Sequence, residues 1–151
     1  MTFDQIITAV KLKHEQLCNA DVHTIATLPR VTPSRGIYLF SEKEKPLYVG
    51  RTNTLRTRLQ QHTRNNENQA TFAFLLARHE TGRLQASYRP EGSRKDLLRN
   101  HEFRDAFDRA RERIRNMDVQ WVEEVDPTTQ AILEIYSAHE TEAVYNSFDN
   151  H

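Results

Sequence analysis

The strongest constraint on this chain is a pair of short β-rich runs, GIYLF (36–40) and PLYVG (46–50), separated by the polar stretch SEKEK. Two such runs joined by about five residues read as a β-hairpin. If residues 41–45 close the loop symmetrically, Leu39 faces Leu47 and Tyr38 faces Tyr48. Side chains alternate along a strand, so Ile37, Leu39, Leu47 and Val49 then fill one side while the two tyrosines share the other.

The rest of the chain supplies helices and one more strand. Phe3, Ile6, Ile7 and Val10 recur at helical spacing behind Thr2, a ready N-cap, which predicts a helix to about Leu17. Residues 19–35, with Pro29 and Pro33, form a connector. A second helix starts near Asn53 and runs to His62 or Arg64, and ATFAFLLARH (70–79) is a third. Residues 81–93 read as loop or irregular strand, and residues 95–116 as one or two helices with Phe103, Phe107, Ala110 and Ile114 on one stripe. DVQWVEEV (118–125) alternates as a third strand, and Asp126-Pro127 opens a final helix. The expected class is α+β: a small three-stranded antiparallel sheet flanked by helices, with an N-terminal helix and a helical insertion. We expect one domain over 1–151, with a helix and connector over 1–34, a core over 35–64 and 117–151, and a basic insertion over 65–116.

Composition narrows the function classes. No apolar run approaches the ~18 residues of a membrane span, and the N-terminus lacks a signal-peptide pattern. The single cysteine, Cys18, excludes an internal disulfide framework and a Cys-rich zinc site. We therefore expect a soluble, cytoplasmic protein. Formal net charge is zero, but it is unevenly spread: residues 1–50 carry six basic and five acidic side chains, 51–100 ten and four, and 101–151 five and twelve. This asymmetry suggests a basic surface for a polyanion, or internal pairing of the two halves. Arg78, Arg83, Arg89, Arg94, Lys95 and Arg99 lack close acidic neighbours, and with Arg51 they are the expected backbone-phosphate contacts. The arginines of RARERIR (109–115) instead lie within a turn of Asp105, Asp108 and Glu112, as on a solvated, paired helix face.

Two charges stand where apolar residues are expected. On the helix 53–62, Leu59, Arg58 and His62 all lie within ~60° of Leu55, on the stripe that faces the sheet. An inward guanidinium needs an anion, either a carboxylate of the chain or a ligand phosphate. In AILEIYSA (131–138), Glu134 is the sole charge, with Ile132, Ile135 and Tyr136 on one side. It needs a cation, either a metal or an arginine. A structural Arg58–Glu134 ion pair would satisfy both. Trp121 and Tyr136 read as core, and His14, His23, His79, His101, His139 and His151 as surface or satisfied interior residues.

The order G-I-Y (36–38), Y-V-G (48–50), Arg58, His62, Glu134 and Y-N (145–146) resembles the GIY-YIG endonuclease family. The resemblance covers about 35–64 and 117–147. It implies a catalytic set of Tyr38, Tyr48, Arg58, His62, Glu134 and Asn146, and phosphodiester hydrolysis by water with one divalent cation, Mg²⁺ or Mn²⁺, held by Glu134. Tyr38 would orient and deprotonate the water, with His62 as the competing base, and Asn146 would fix the backbone near Glu134. The implied partner is nucleic acid, DNA before RNA, with a homodimer or partner protein left open. Two other readings stay open: a non-catalytic nucleic-acid-binding module on the same fold, and a protein-interaction domain in which Arg58 and Glu134 are a structural pair.

Overall fold

The hairpin is tighter than a five-residue loop. In the computed structural model, which describes residues 1–83 and 93–148, β1 (Gly36–Glu42) and β2 (Lys45–Thr52) are joined by Lys43 and Glu44 alone. Both turn residues are left-handed, with φ of 51° and 65°. Two consecutive positive φ values give the hairpin turn whose twist matches that of the strands. Pairing therefore begins at Glu42 opposite Lys45 and proceeds to Ser41 opposite Pro46, then skips Leu47, so that Phe40 faces Tyr48 and Tyr38 faces Gly50. The expected Tyr38–Tyr48 pair is thus displaced by two residues. The displacement is even, so both tyrosines keep to one face.

β1 is the central strand of the sheet β2-β1-β3, with β3 spanning Asp118–Glu123 and antiparallel to β1. α1 (Phe3–Cys18) begins with a capping box between Thr2 and Gln5, and α6 (Pro127–Thr141) begins at the Asp126 cap. On one face of the sheet, Ile37, Leu39, Val49 and Val122 pack with Val10 and Leu17 of α1 and with Leu133 and Ala138 of α6. α1 lies against α6 and β3, and α6 against β2. The connector contains a short 3₁₀ turn (Ile25–Thr27), and His23 pairs its backbone with Val119 on the outer edge of β3. The other edge of the sheet is partly covered as well: Tyr145 donates its backbone N–H to the Leu47 carbonyl at 2.9 Å. Ile135 is 52% exposed, since it points away from the face of α6 that meets the sheet. Trp121 is only partly buried, because it sits on an edge strand, where it stacks on His23.

The chain forms two compact units, one made of Met1–Arg58 with the chain from Met117 onward, the other of Leu59–Asn116. The division falls within α2 (Leu55–Gln61). In the second unit, α3 (Thr71–Thr81) packs on α5 (His101–Arg115), with α4 (Arg94–Leu97) between them in sequence. Residues 95–116 therefore hold two helices, separated where the Asn100 side chain caps α5 by accepting the Phe103 N–H at 3.0 Å. Phe103, Ala106, Phe107, Ala110 and Ile114 form the buried stripe of α5. Phe74 meets the rings of Phe103 and Phe107 at 5.0 and 6.2 Å. On the exposed face of α5, Arg111 pairs with Asp108 and Arg115 with Glu112 as expected, while Arg104 also meets Asp108 and Arg109 reaches Glu80 of α3.

Candidate active site

The two glycines of the hairpin are there for closeness. A Cβ on Gly36 would stand 2.2 Å from the Val122 carbonyl oxygen, so any side chain would push β3 off β1. A Cβ on Gly50 would stand 2.2 Å from Tyr38 Cζ and 2.3 Å from its hydroxyl oxygen. The Tyr38 ring thus lies across the bare backbone of its cross-strand neighbour, where only glycine leaves room. Phe40 closes the ring's other flank edge-on at 5.7 Å, and Tyr38 is 2% exposed.

The Tyr38 hydroxyl is the point on which several groups act. Burial pushes its pKa well above the ordinary phenol value, and the neighbouring Tyr48 and Glu134 charges push the same way. The Arg58 guanidinium opposes them by its charge and by a side-chain hydrogen bond to Tyr38. At neutral pH the phenol is protonated. Arg58 is placed by the start of α2. There Thr54 donates its N–H to Thr52 Oγ1 at 3.0 Å, Leu55 donates to the Ser34 carbonyl at 2.8 Å, and Arg58 donates to the Thr54 carbonyl at 2.8 Å. Leu55 is buried and Arg58 half-buried, while Arg56 is exposed and donates to the Pro29 carbonyl.

Glu134 has a different partner from the one its position suggests. Its ion pair is with Arg51, Nε to Oε1 at 3.7 Å, and the Arg51 backbone also favours the charged carboxylate. Arg58 is instead hydrogen-bonded to Tyr38. The register explains this exchange: Arg51 is paired with Ile37, whose face of the sheet is the one that carries α6. Burial raises the Glu134 pKa above the ordinary carboxylate value, and Arg51 only partly offsets the shift.

Gln130, one helical turn before Glu134, is a buried amide that the sequence reading does not include. It is 3% exposed, and its amide donates to the Thr52 and Glu124 carbonyls at 3.2 and 3.1 Å, which fastens α6 to the end of β2. A signal for it existed: Gln130 and Glu134 form an i, i+4 polar pair on an otherwise apolar helix. Asn146 fixes the backbone at Val49 rather than beside Glu134. Its side chain accepts the Val49 N–H and donates to the Val49 carbonyl, both at 2.8 Å, as a further strand would.

Among the described residues no cluster of three or more metal-ligating side chains exists. A site with Glu134 as its one carboxylate would suit a hard cation that keeps most of its waters and takes the remaining ligands from a substrate. The chemistry of the position fits such an ion: a partly desolvated carboxylate already draws a cationic group, the Arg51 guanidinium, to its side.

The structure thus brings Tyr48, Arg58 and Glu134 within reach of Tyr38 by charge, with Arg51 beside Glu134 and Asn146 on the β2 edge. His62 belongs to the second unit, where it is fully buried and edge-on to Phe72 at 6.4 Å. The basic residues 78–99 are also in that unit. Arg78 is 6% exposed. Its guanidinium lies 4.9 Å over the Phe74 ring and donates to the Arg83 carbonyl at 3.0 Å, and burial next to Arg94 lowers its pKa. Arg94 also reaches over Phe74 and donates to the Glu67 carbonyl. Arg83, Lys95 and Arg99 are exposed, and Arg89 and His151 lie outside the described residues. No described helix is long and apolar enough to cross a membrane.

Neither the curated proteins nor the solved structures contain a significant match to this chain. The family model of the GIY-YIG catalytic domain, however, matches residues 34–146, from just before β1 to the asparagine that closes the β2 edge. With most of its length so matched, the chain belongs to the GIY-YIG nuclease family.

Proposed function

We propose that this protein is a metal-dependent endonuclease that hydrolyses phosphodiester bonds in DNA by attack of water. The observation that carries this reading is the buried Tyr38 ring laid across Gly50 with its hydroxyl hydrogen-bonded to the Arg58 guanidinium, while Tyr48 and Glu134 act on it by charge. Arg58 offsets the charge that builds on a phosphoryl group during in-line attack, and its bond to Tyr38 holds both groups in one orientation. The protonated Tyr38 hydroxyl orients water and a phosphate oxygen by hydrogen bonding. Tyr38 becomes a base only where added positive charge brings the phenol within range, and His62 is the alternative acceptor of the proton. Glu134 would hold one Mg²⁺ or Mn²⁺, whose charge, when bound, polarises the phosphoryl oxygen and favours the phenolate. Exposed Arg83, Lys95 and Arg99, with Arg51, would supply sequence-independent phosphate contacts.

Plasmid and oligonucleotide duplexes, incubated with Mg²⁺, Mn²⁺ or EDTA, test the reading. Cleavage that requires metal and disappears in Tyr38→Phe and Arg58→Ala is the expected result. Salt-dependent binding with no cleavage in either metal would leave a non-catalytic module, and neither binding nor cleavage would leave a protein-interaction domain.

A further inference from the structure

Arg51 and Glu134 are joined in a way that lets them part. The contact is a single side-on approach, Nε to Oε1 at 3.7 Å, rather than the two-pronged fork of a tight arginine–carboxylate pair. The Arg51 side chain is 45% exposed and that of Glu134 24%. A partly exposed pair at this length is weakly held. The Arg51 backbone N–H also favours the charged carboxylate, and it stays in place if the side chain leaves. Gln130 independently fastens the helix that carries Glu134 to the end of the strand that carries Arg51. Departure of the guanidinium therefore disturbs neither main chain.

Resting on the nuclease reading above, we infer that Arg51 is a charge that changes partner. It neutralises Glu134 while the protein is free of metal, and a divalent cation that takes the carboxylate releases it to a phosphate of the nucleic acid. Two consequences follow. A cation must displace Arg51 to bind, so Arg51 weakens metal affinity. Metal and nucleic acid then bind cooperatively, because the guanidinium that the metal expels is the one the phosphate gains, and such coupling is reciprocal. Unproductive binding of nucleic acid in the absence of metal is held down by the same pair.

The inference is tested without any cleavage, by four proteins in EDTA at one fixed salt concentration: wild type, Glu134→Gln, Arg51→Gln and the double variant. The probe is a fluorescein-labelled DNA duplex, followed by anisotropy. Glu134→Gln frees Arg51 without metal, so this variant should bind the duplex about fivefold more tightly than wild type, the upper range for an exposed pair. The gain should vanish when Arg51→Gln is added, because the freed charge is then missing. Loss of a negative charge near a polyanion would by itself tighten binding equally in both backgrounds, and that additive result overturns the exchange. A second measurement follows Mn²⁺ alone by electron paramagnetic resonance. Arg51→Gln should bind Mn²⁺ about fivefold more tightly, and Glu134→Gln should lose that site. Unchanged Mn²⁺ affinity in Arg51→Gln overturns the exchange but leaves the nuclease reading standing, provided that Glu134→Gln loses the site. Absence of both duplex and Mn²⁺ binding from the wild type removes the nuclease reading and the exchange with it.

Discussion

Gly50→Ala adds one methyl group at the place where the candidate site is tightest. The new Cβ would stand 2.2 Å from Tyr38 Cζ, and the range of ordinary contact begins at 3.4 Å, so the ring must retreat by 1.2 Å. The atoms that are struck belong to a ring 2% exposed, flanked by Phe40, and not to the free end of a flexible chain. Overpacking of a close-packed core costs ~1–3 kcal/mol. Glycine is itself a poor strand residue, and its removal returns ~0.5–1 kcal/mol. The expected net loss is ~1–2 kcal/mol, which lowers the melting temperature of a chain of this size by about 3–8 °C. Activity should suffer more, since a displacement of ~1 Å at a positioned group can cost ~100-fold in rate. Chemical denaturation of Gly50→Ala in wild-type and Tyr38→Ala backgrounds isolates the cause. With the ring gone, the three atoms nearest the added methyl go with it, and most of its cost should disappear. Equal cost in the two backgrounds, or a Gly50→Ala protein as stable and as active as wild type, would refute the claim that the glycine exists to admit the tyrosine.

Asn146→Ala removes two backbone hydrogen bonds at Val49 and should cost ~1–2 kcal/mol by urea denaturation, with the outer edge of β2 gaining amide exchange first. Phe107→Ala empties a fully buried ring position in the second unit and should cost ~3–5 kcal/mol, measured the same way. His14 donates to or accepts from Ser137 at 2.9 Å, and its burial lowers its pKa despite the opposing charges of Glu140 and Glu15. The folded protein therefore binds fewer protons there than the unfolded chain. Its stability should be complete above the ordinary histidine value of 6.5 and should decline as pH falls below it, with this slope reduced in His14→Gln.

Periodicity made the helices legible, because each buries one stripe: Phe103, Phe107, Ala110 and Ile114 could be placed without coordinates. The strands were legible in kind but not in register. A two-residue turn normally announces itself by Asn-Gly or Asp-Gly, and here Lys43-Glu44 adopts left-handed angles that neither residue favours. The skipped Leu47 is equally silent, since a bulge depends on how two strands meet. The same limit hid the ion pair of Glu134. Sequence showed a carboxylate in need of a cation and an inward arginine in need of an anion. Choosing among partners required knowing that Arg51, opposite Ile37, points to the face that carries α6. Gln130 went unread because an amide on a helix is unremarkable until its carbonyl partners are known.

The register of β2 is what lets one site draw on both faces of a three-stranded sheet. Gly50 and Arg51 are consecutive, so their positions face opposite ways. At Gly50 the absent side chain lets Tyr38 cross from β1, whereas Arg51 turns to the α6 face and meets Glu134. A slip of one residue would exchange these roles: an arginine would stand where the ring needs empty space, and the carboxylate of α6 would lose its cation. Three features hold the register against that slip. The left-handed turn at Lys43 and Glu44 starts the pairing, the bulge at Leu47 restores the parity, and Asn146 clamps the backbone of Val49 from outside. The last of these comes from the far end of the matched segment, almost a hundred residues away, so the late asparagine secures the placement of Tyr38 and Arg51 without touching either.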